Sequence, residues 1–131
     1  MTIELKGVFQ ITGWDEKAYS ENEDGTKQSH AKITQTYSGA IEGSSELQYL
    51  MSYQPDGSAV FVGFEVVSGS ISGKSGSFVI QHAGKFALGV ASSNFIIVPQ
   101  SGKGELTDIT GNGSFTSVEH GKANYNVIID S

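Results

Sequence analysis

Along most of this chain apolar residues alternate with small polar ones over short runs, and the runs are broken by Gly, Asn, Asp and Ser instead of continuing at helical spacing. That pattern predicts an almost entirely β protein. The alternation is cleanest from Ala40 to Tyr53, where Ile41, Leu47, Tyr49, Met51 and Tyr53 share one parity and Glu42, Ser44, Glu46 and Gln48 the other, as a half-buried strand requires. A first strand is expected over about Lys6 to Ala18, with Phe9 and Ile11 on one face and Val8 and Trp14 on the other. An acidic stretch holding Asp15, Glu16, Glu21, Glu23 and Asp24 reads as a solvated hairpin loop ending in Asp24-Gly25. A second strand runs about Ser29 to Tyr37, with Ala31, Ile33 and Tyr37 inward.

After the Gln54-Pro55-Asp56-Gly57 turn, Ala59 to Val67 is apolar on both faces except for Glu65. It should be the most buried segment, covered on both sides. Further strands are expected at about Gly76 to His82, then, after an Ala83-Gly84 turn, at Lys85 to Val90 and at Asn94 to Val98. The last two are expected at Gly104 to Thr110 and Ala123 to Ile129. Eight or nine antiparallel strands joined by tight turns close most economically into a barrel, because closure removes exposed edges. A sandwich is the alternative. Strand glycines such as Gly7, Gly13, Gly43 and Gly63 suit a small, sharply coiled barrel. At 131 residues the whole chain, 1–131, fits one such domain.

Charge narrows the chemistry. Eight Lys and no Arg against 14 acidic residues give a net charge of −6, the wrong sign for nucleic acid or an anionic membrane, and no bidentate phosphate clamp. The absence of Cys excludes disulfides, thiol nucleophiles and thiolate metal sites together. No stretch is long enough to span a bilayer and the opening residues do not read as an export signal, so a soluble, cytoplasmic protein is expected. His30, His82 and His120 lack metal-ligand spacing, so neither a metal nor a cofactor is expected. Gly73-Lys74-Ser75 imitates the end of a phosphate loop, but Ser68 stands where the first Gly belongs and a strand follows instead of a helix. Gly-x-Ser-x-Gly does not occur, which leaves a hydrolase triad without local support.

Two stretches are more specific. Gly73 to His82 followed by Gly84, and Val98 to Leu106 followed by Ile109-Thr110-Gly111, resemble the two signatures of a bacterial family of unknown function. The resemblance also takes in Phe9, Trp14 and Ser38 to Gly43, so it covers nearly the whole chain. It departs at Lys103, where a small hydroxyl residue is expected. Members of that family are similar in fold to allene oxide cyclase and dirigent proteins, which implies an eight-stranded antiparallel barrel. It implies no activity, and no catalytic set carries over.

Glu65 is the candidate with most chemical content, since a carboxylate on an otherwise apolar strand must be paired, hydrogen-bonded or protonated. It reads either as a lumenal base or anchor, or as a structural carboxyl. His82 shares parity with Phe78 and Ile80, and reads as a core histidine or as a proton donor and acceptor at the barrel mouth. Trp14, Tyr49, Tyr53, Phe61 and Tyr125 are expected to line the lumen, with Ser101 to Glu105 as its rim and Glu105 fastening that loop through backbone N–H groups. Three functions follow. The first is binding of a small, partly apolar molecule at Glu65 and His82; the second is an isomerase or cyclase with Glu65 as base or charge stabiliser. The third is a filled barrel serving as an assembly module. A homo-oligomer is expected, because a strand apolar on both faces needs an outer cover.

Overall fold

The computed structural model describes residues 2–117 and 121–130; His120 lies outside them. The described residues form nine strands: β1 Thr2–Glu21, β2 Lys27–Gly39, β3 Ile41–Tyr53, β4 Ala59–Ile71, β5 Lys74–Ala87, β6 Val90–Ile97, β7 Lys103–Gly104, β8 Thr110–Ser117 and β9 Lys122–Asp130. Antiparallel pairing runs β4-β3-β2-β1-β9-β8-β6-β5, and β4 pairs with β5 to close the ring. The result is an eight-stranded barrel, with the two-residue β7 outside it on the start of β5. Closure removes the sandwich alternative.

Strand alternation sets the interior. Phe9, Ile33, Leu47, Phe61, Phe78, Ile80, Phe95, Phe115 and Val127 point inward and are buried. Aromatic edges meet faces in the middle, with Phe9 and Phe115 centroids 5.1 Å apart at 80°. One end of the barrel is shut by the segment between β6 and β8, which lays Leu106 and Ile109 into the core. At the other end β1 leaves β9 after Gln10 and continues paired only with β2, up to Glu21.

Several sequence expectations change here. The pairing of β1 with β2 shifts between Ile11 and Gly13, a bulge at Thr12 that reverses the parity of the strand until a second shift between Ala18 and Ser20. Trp14 therefore pairs with inward-facing Ile33 and joins Phe9 on the lumenal side, where simple alternation put the two on opposite faces. Ala83-Gly84 is not a turn. A side chain at Gly84 would strike the Phe61 ring at 2.4 Å, so Gly is there to let that ring pack across the strand, and β5 runs on to Ala87. The true hairpins are Ser72-Gly73 and Leu88-Gly89, each with positive φ at both positions, the two-residue turn whose twist matches the strands. Gly104 to Thr110 is mostly the plugging turn instead of a strand, and the Gly-rich β8 follows it. Finally, β4 is covered on one side only: Val60, Val62, Phe64 and Val66 face outward, each about half exposed, because a single-layered barrel buries only its lumenal face.

Candidate functional site: a polar belt below an open lumen end

Five adjacent strands each contribute one buried polar side chain at the same depth. They are Tyr37 on β2, Ser45 on β3, Glu65 on β4, His82 on β5 and Ser93 on β6. Glu65 is 1% exposed and His82 2%. The Tyr37 hydroxyl donates to Glu65 Oε2 at 2.5 Å and the Ser45 hydroxyl to the same oxygen at 2.6 Å, while His82 Nε2 meets Oε1 at 2.7 Å. Three hydrogen bonds into two oxygens are the pattern of an ionised carboxylate, so Nε2 carries the proton between them. Behind it, His82 Nδ1 lies 3.0 Å from Ser93 Oγ. A neutral His82 accepts from that hydroxyl. A protonated His82 donates to it, and the Ser93 hydroxyl turns to the carbonyls of Asn94 at 3.3 Å or Ala83 at 3.4 Å. Both protonation states are thus satisfied. Burial pushes the Tyr37 phenol well above its ordinary range, and the neighbouring Glu65 charge adds to that, so Tyr37 stays a donor.

Above the belt the lumen opens. A cavity of about 100 Å³ is walled by Phe9, Ile33, Tyr49, Met51, Phe61 and Phe115, with Trp14, Phe86, Ala91 and Lys122 around its outer part. Tyr49 and Phe115 also stand edge to face against the His82 ring, both at 5.5 Å, so they form the floor that separates cavity from belt. Within this apolar wall sits Gln35, 4% exposed, whose Oε1 has no hydrogen-bond partner among the described residues. A buried carbonyl left unpaired costs about 1–3 kcal/mol. The other unpartnered buried oxygen, Asn126 Oδ1, is on the outward parity of β9, and its amide nitrogen donates to Glu4.

Trp14 is latched at the mouth. Its indole Nε1 donates to Glu16 Oε1 at 3.1 Å, and Glu16 Oε2 accepts from Ser29 at 2.5 Å and Tyr53 at 2.7 Å. Burial, the largest single influence, pushes the Glu16 carboxyl upward. The hydrogen bonds from Ser29, Tyr53 and Trp14, with the charge of Lys27, outweigh it and hold it below its ordinary value. Tyr53 is pushed up to about 12 by burial and by Glu16. Glu16 thus belongs to a partly buried cluster, not to the solvated loop its acidic neighbours suggested.

The sequence-predicted residues separate into three groups. Trp14, Tyr49 and Phe61 meet at the cavity. Glu65 and His82 pair beneath it, and Tyr53 serves the Glu16 latch. Ser101, Glu105 and Tyr125 are at the shut end, away from the opening. Ser101 Oγ donates to Val98 O at 2.6 Å and accepts from Val79 N at 3.0 Å, and Glu105 Oε1 accepts from Ser75 N. Tyr125 OH donates to Ser38 O and accepts from Ile41 N, both at 2.8 Å, tying β9 to the β2–β3 corner. Gln35, Tyr37, Ser45 and Ser93 escaped the sequence reading. Gln35 carried a usable signal, since it shares the parity of Ala31, Ile33 and Tyr37. Among the described residues, no three His, Asp or Glu side chains are grouped to hold a metal ion, and no helix is long and apolar enough to cross a membrane.

Fold and site together define a closed antiparallel barrel with an interior carboxylate–imidazole pair and one open lumen end. The chain belongs to the DUF3224 family of proteins of unknown function, which it matches over residues 5–128. It is similar to a crystal structure of a DUF3224 protein of unknown function from Shewanella oneidensis MR-1, with 29% identity, a TM-score of 0.84, and 99% of this chain and 98% of that one covered. No functionally curated protein matches it.

Proposed function

We propose that the protein binds a small, partly apolar molecule by taking its tip into the open lumen end. The observation that carries this reading is Gln35, an unpaired amide carbonyl buried in an apolar cavity. The tip therefore carries an N–H or O–H donor, which would relieve the cost of that carbonyl. Size limits it further. A dry cavity of about 150 Å³ holds a benzene ring. A cavity of about 100 Å³ takes a small head, with the remainder of the ligand between Trp14, Phe86 and Lys122.

The geometry favours binding over turnover. Glu65 and His82 lie under Tyr49 and Phe115, and both carboxylate oxygens are engaged, so a substrate in the cavity does not meet the base that the cyclase alternative requires. The polar belt is better read as the structural floor of the site than as its anchor. A wholly filled barrel is disfavoured by the same cavity.

Phenol and benzene, each entering by one edge with the rest of the ring toward Trp14 and Phe86, serve as paired ligands for the test, followed by NMR shifts of the Met51 and Ala123 methyl groups and the Gln35 side-chain amide. Phenol is expected to bind about tenfold tighter than benzene, the worth of one hydrogen bond to a buried acceptor. Gln35→Leu should remove that preference. If neither compound moves the cavity methyls at millimolar concentration, the lumen is filled and the proposal fails.

A further inference from the structure

The outside of β4 inverts its inside. Val60, Val62, Phe64 and Val66 lie in a row, 48–57% exposed, with Leu50 beside Val62 on β3 at 51% and Ile96 across β5 at 46%. Beside this row strand β5 presents Val79, Gln81, Ala83 and Lys85, which pair with Val66, Phe64, Val62 and Val60. Exposed apolar side chains of this number amount to on the order of 500 Å², at the upper limit of what monomeric proteins leave uncovered. We propose that this face is the interface of a homodimer, in which two copies pack through the outer sides of β3–β5.

Three features select a second copy of this chain as the occupant. The first is area. A stable interface needs about 800 Å² per partner, of which a patch of this size supplies the uncharged centre and a surrounding polar rim the rest. The second is charge. The chain carries −6, so self-association through most of its surface is opposed, whereas the centre of this face holds no carboxylate and meets its own image without repulsion. Charges of both signs stand at its edge: Glu46 pairs with Val66 in register and Lys85 with Val60, while Lys32 lies one strand farther out beside Gln48 and Asp15 beyond it.

The third is shape. The outer wall of a twisted barrel is a hyperboloid, hollow along the strands and rounded across them. Here the hollow is a groove of about 1020 Å³ between β1 and β5. A saddle of this kind fits a copy of itself turned by about a right angle, the orthogonal mode of sheet packing. We take Glu46 of each protomer to face Lys32 of the other at the rim of that arrangement, the contact their opposite charges allow.

Sedimentation velocity on the full chain tests this, across concentrations up to about 100 µM, where even a micromolar dimer is formed. The expected species has twice the 13.9 kDa chain mass. Phe64→Glu should weaken it about 30-fold or more, the effect of losing one central anchor. The circular dichroism of that variant should stay native, since Phe64 is already 57% exposed in the single chain. Glu46→Lys should weaken the dimer and Glu46→Lys with Lys32→Glu should restore it. A monomer at the highest concentration, a larger closed ring, or a dimer indifferent to Phe64→Glu would each overturn the proposal.

Discussion

The two ends of the lumen are built from the same strands and do opposite things. At the shut end, Leu106 and Ile109 fill the core, and Tyr125, Ser101 and Glu105 spend their polar atoms on backbone groups of neighbouring segments. At the open end the side chains meet a cavity, one of them holds an unpaired carbonyl, and an exposed tryptophan is held in place by a carboxylate. Polar groups at the first end are consumed by the fold. At the second, Glu16, Ser29, Tyr53 and Trp14 satisfy one another beside the cavity, and the Gln35 carbonyl is left without a partner.

Substitutions should separate the two ends, beginning with the belt between them. Glu65→Leu leaves His82 Nε2 and the Tyr37 and Ser45 hydroxyls without their acceptor in the core. It should cost about 3–5 kcal/mol in urea unfolding, the penalty for breaking a buried charged network. Leu106→Ala, which opens the plug, should cost about 2–5 kcal/mol while phenol affinity stays unchanged. Tyr125→Phe should cost about 1–3 kcal/mol because Ile41 N and Ser38 O lose their partner together, again with phenol binding intact. Gln35→Leu reverses the pattern: it removes an unsatisfied carbonyl, so stability should hold within about 1 kcal/mol or rise, while phenol selectivity disappears. Equal stability losses at both ends would erase the contrast.

The smallest effect concerns the latch. The Glu16 carboxyl is held below the 4.5 of an ordinary glutamate, so its contribution to stability is complete above that value and is lost as pH falls through the lowered folded one. Acidification below about pH 4.5 should therefore release the indole, which makes the emission of Trp14, the single tryptophan, a direct monitor. Glu16→Gln should remove that acid step from the fluorescence titration. An unchanged titration would place the latch elsewhere.

Most of the barrel was legible in the chain because alternation reports burial directly, as β3 and β9 show. Two features broke it. A bulge adds one residue without any distinctive letter, so nothing at Thr12 announced that Trp14 had changed sides. Gly84 looked like a turn because a glycine demanded by a packed ring and a glycine demanded by positive φ are the same letter. Glu65 and His82 stood out against their apolar neighbours. Ser45 and Ser93 did not, because serine is common on both faces of this chain and only the folded register shows which ones meet a carboxylate and an imidazole. The cavity was beyond reach, since whether aromatic rings fill a lumen or surround a space depends on rotamers and closure, not on composition.

The five-strand belt also acts as a register lock. Apolar alternation penalises a slip of one residue, which turns a strand inside out, but it is blind to a slip of two, which returns every side chain to the correct face. Sliding β5 by two residues along β4 so that Phe78 comes opposite Glu65 would keep Phe78, Ile80 and His82 facing inward and yet carry the imidazole about 7 Å farther from Glu65. The carboxylate would then be sealed in the core short of a proton donor, and the same holds for β2 and Tyr37 or β3 and Ser45. Strands β2, β3 and β5 are in this way checked against the one carboxylate of β4, and β6 against His82 through Ser93, so a chain of repetitive small and polar residues carries a penalty for slips that alternation alone would tolerate.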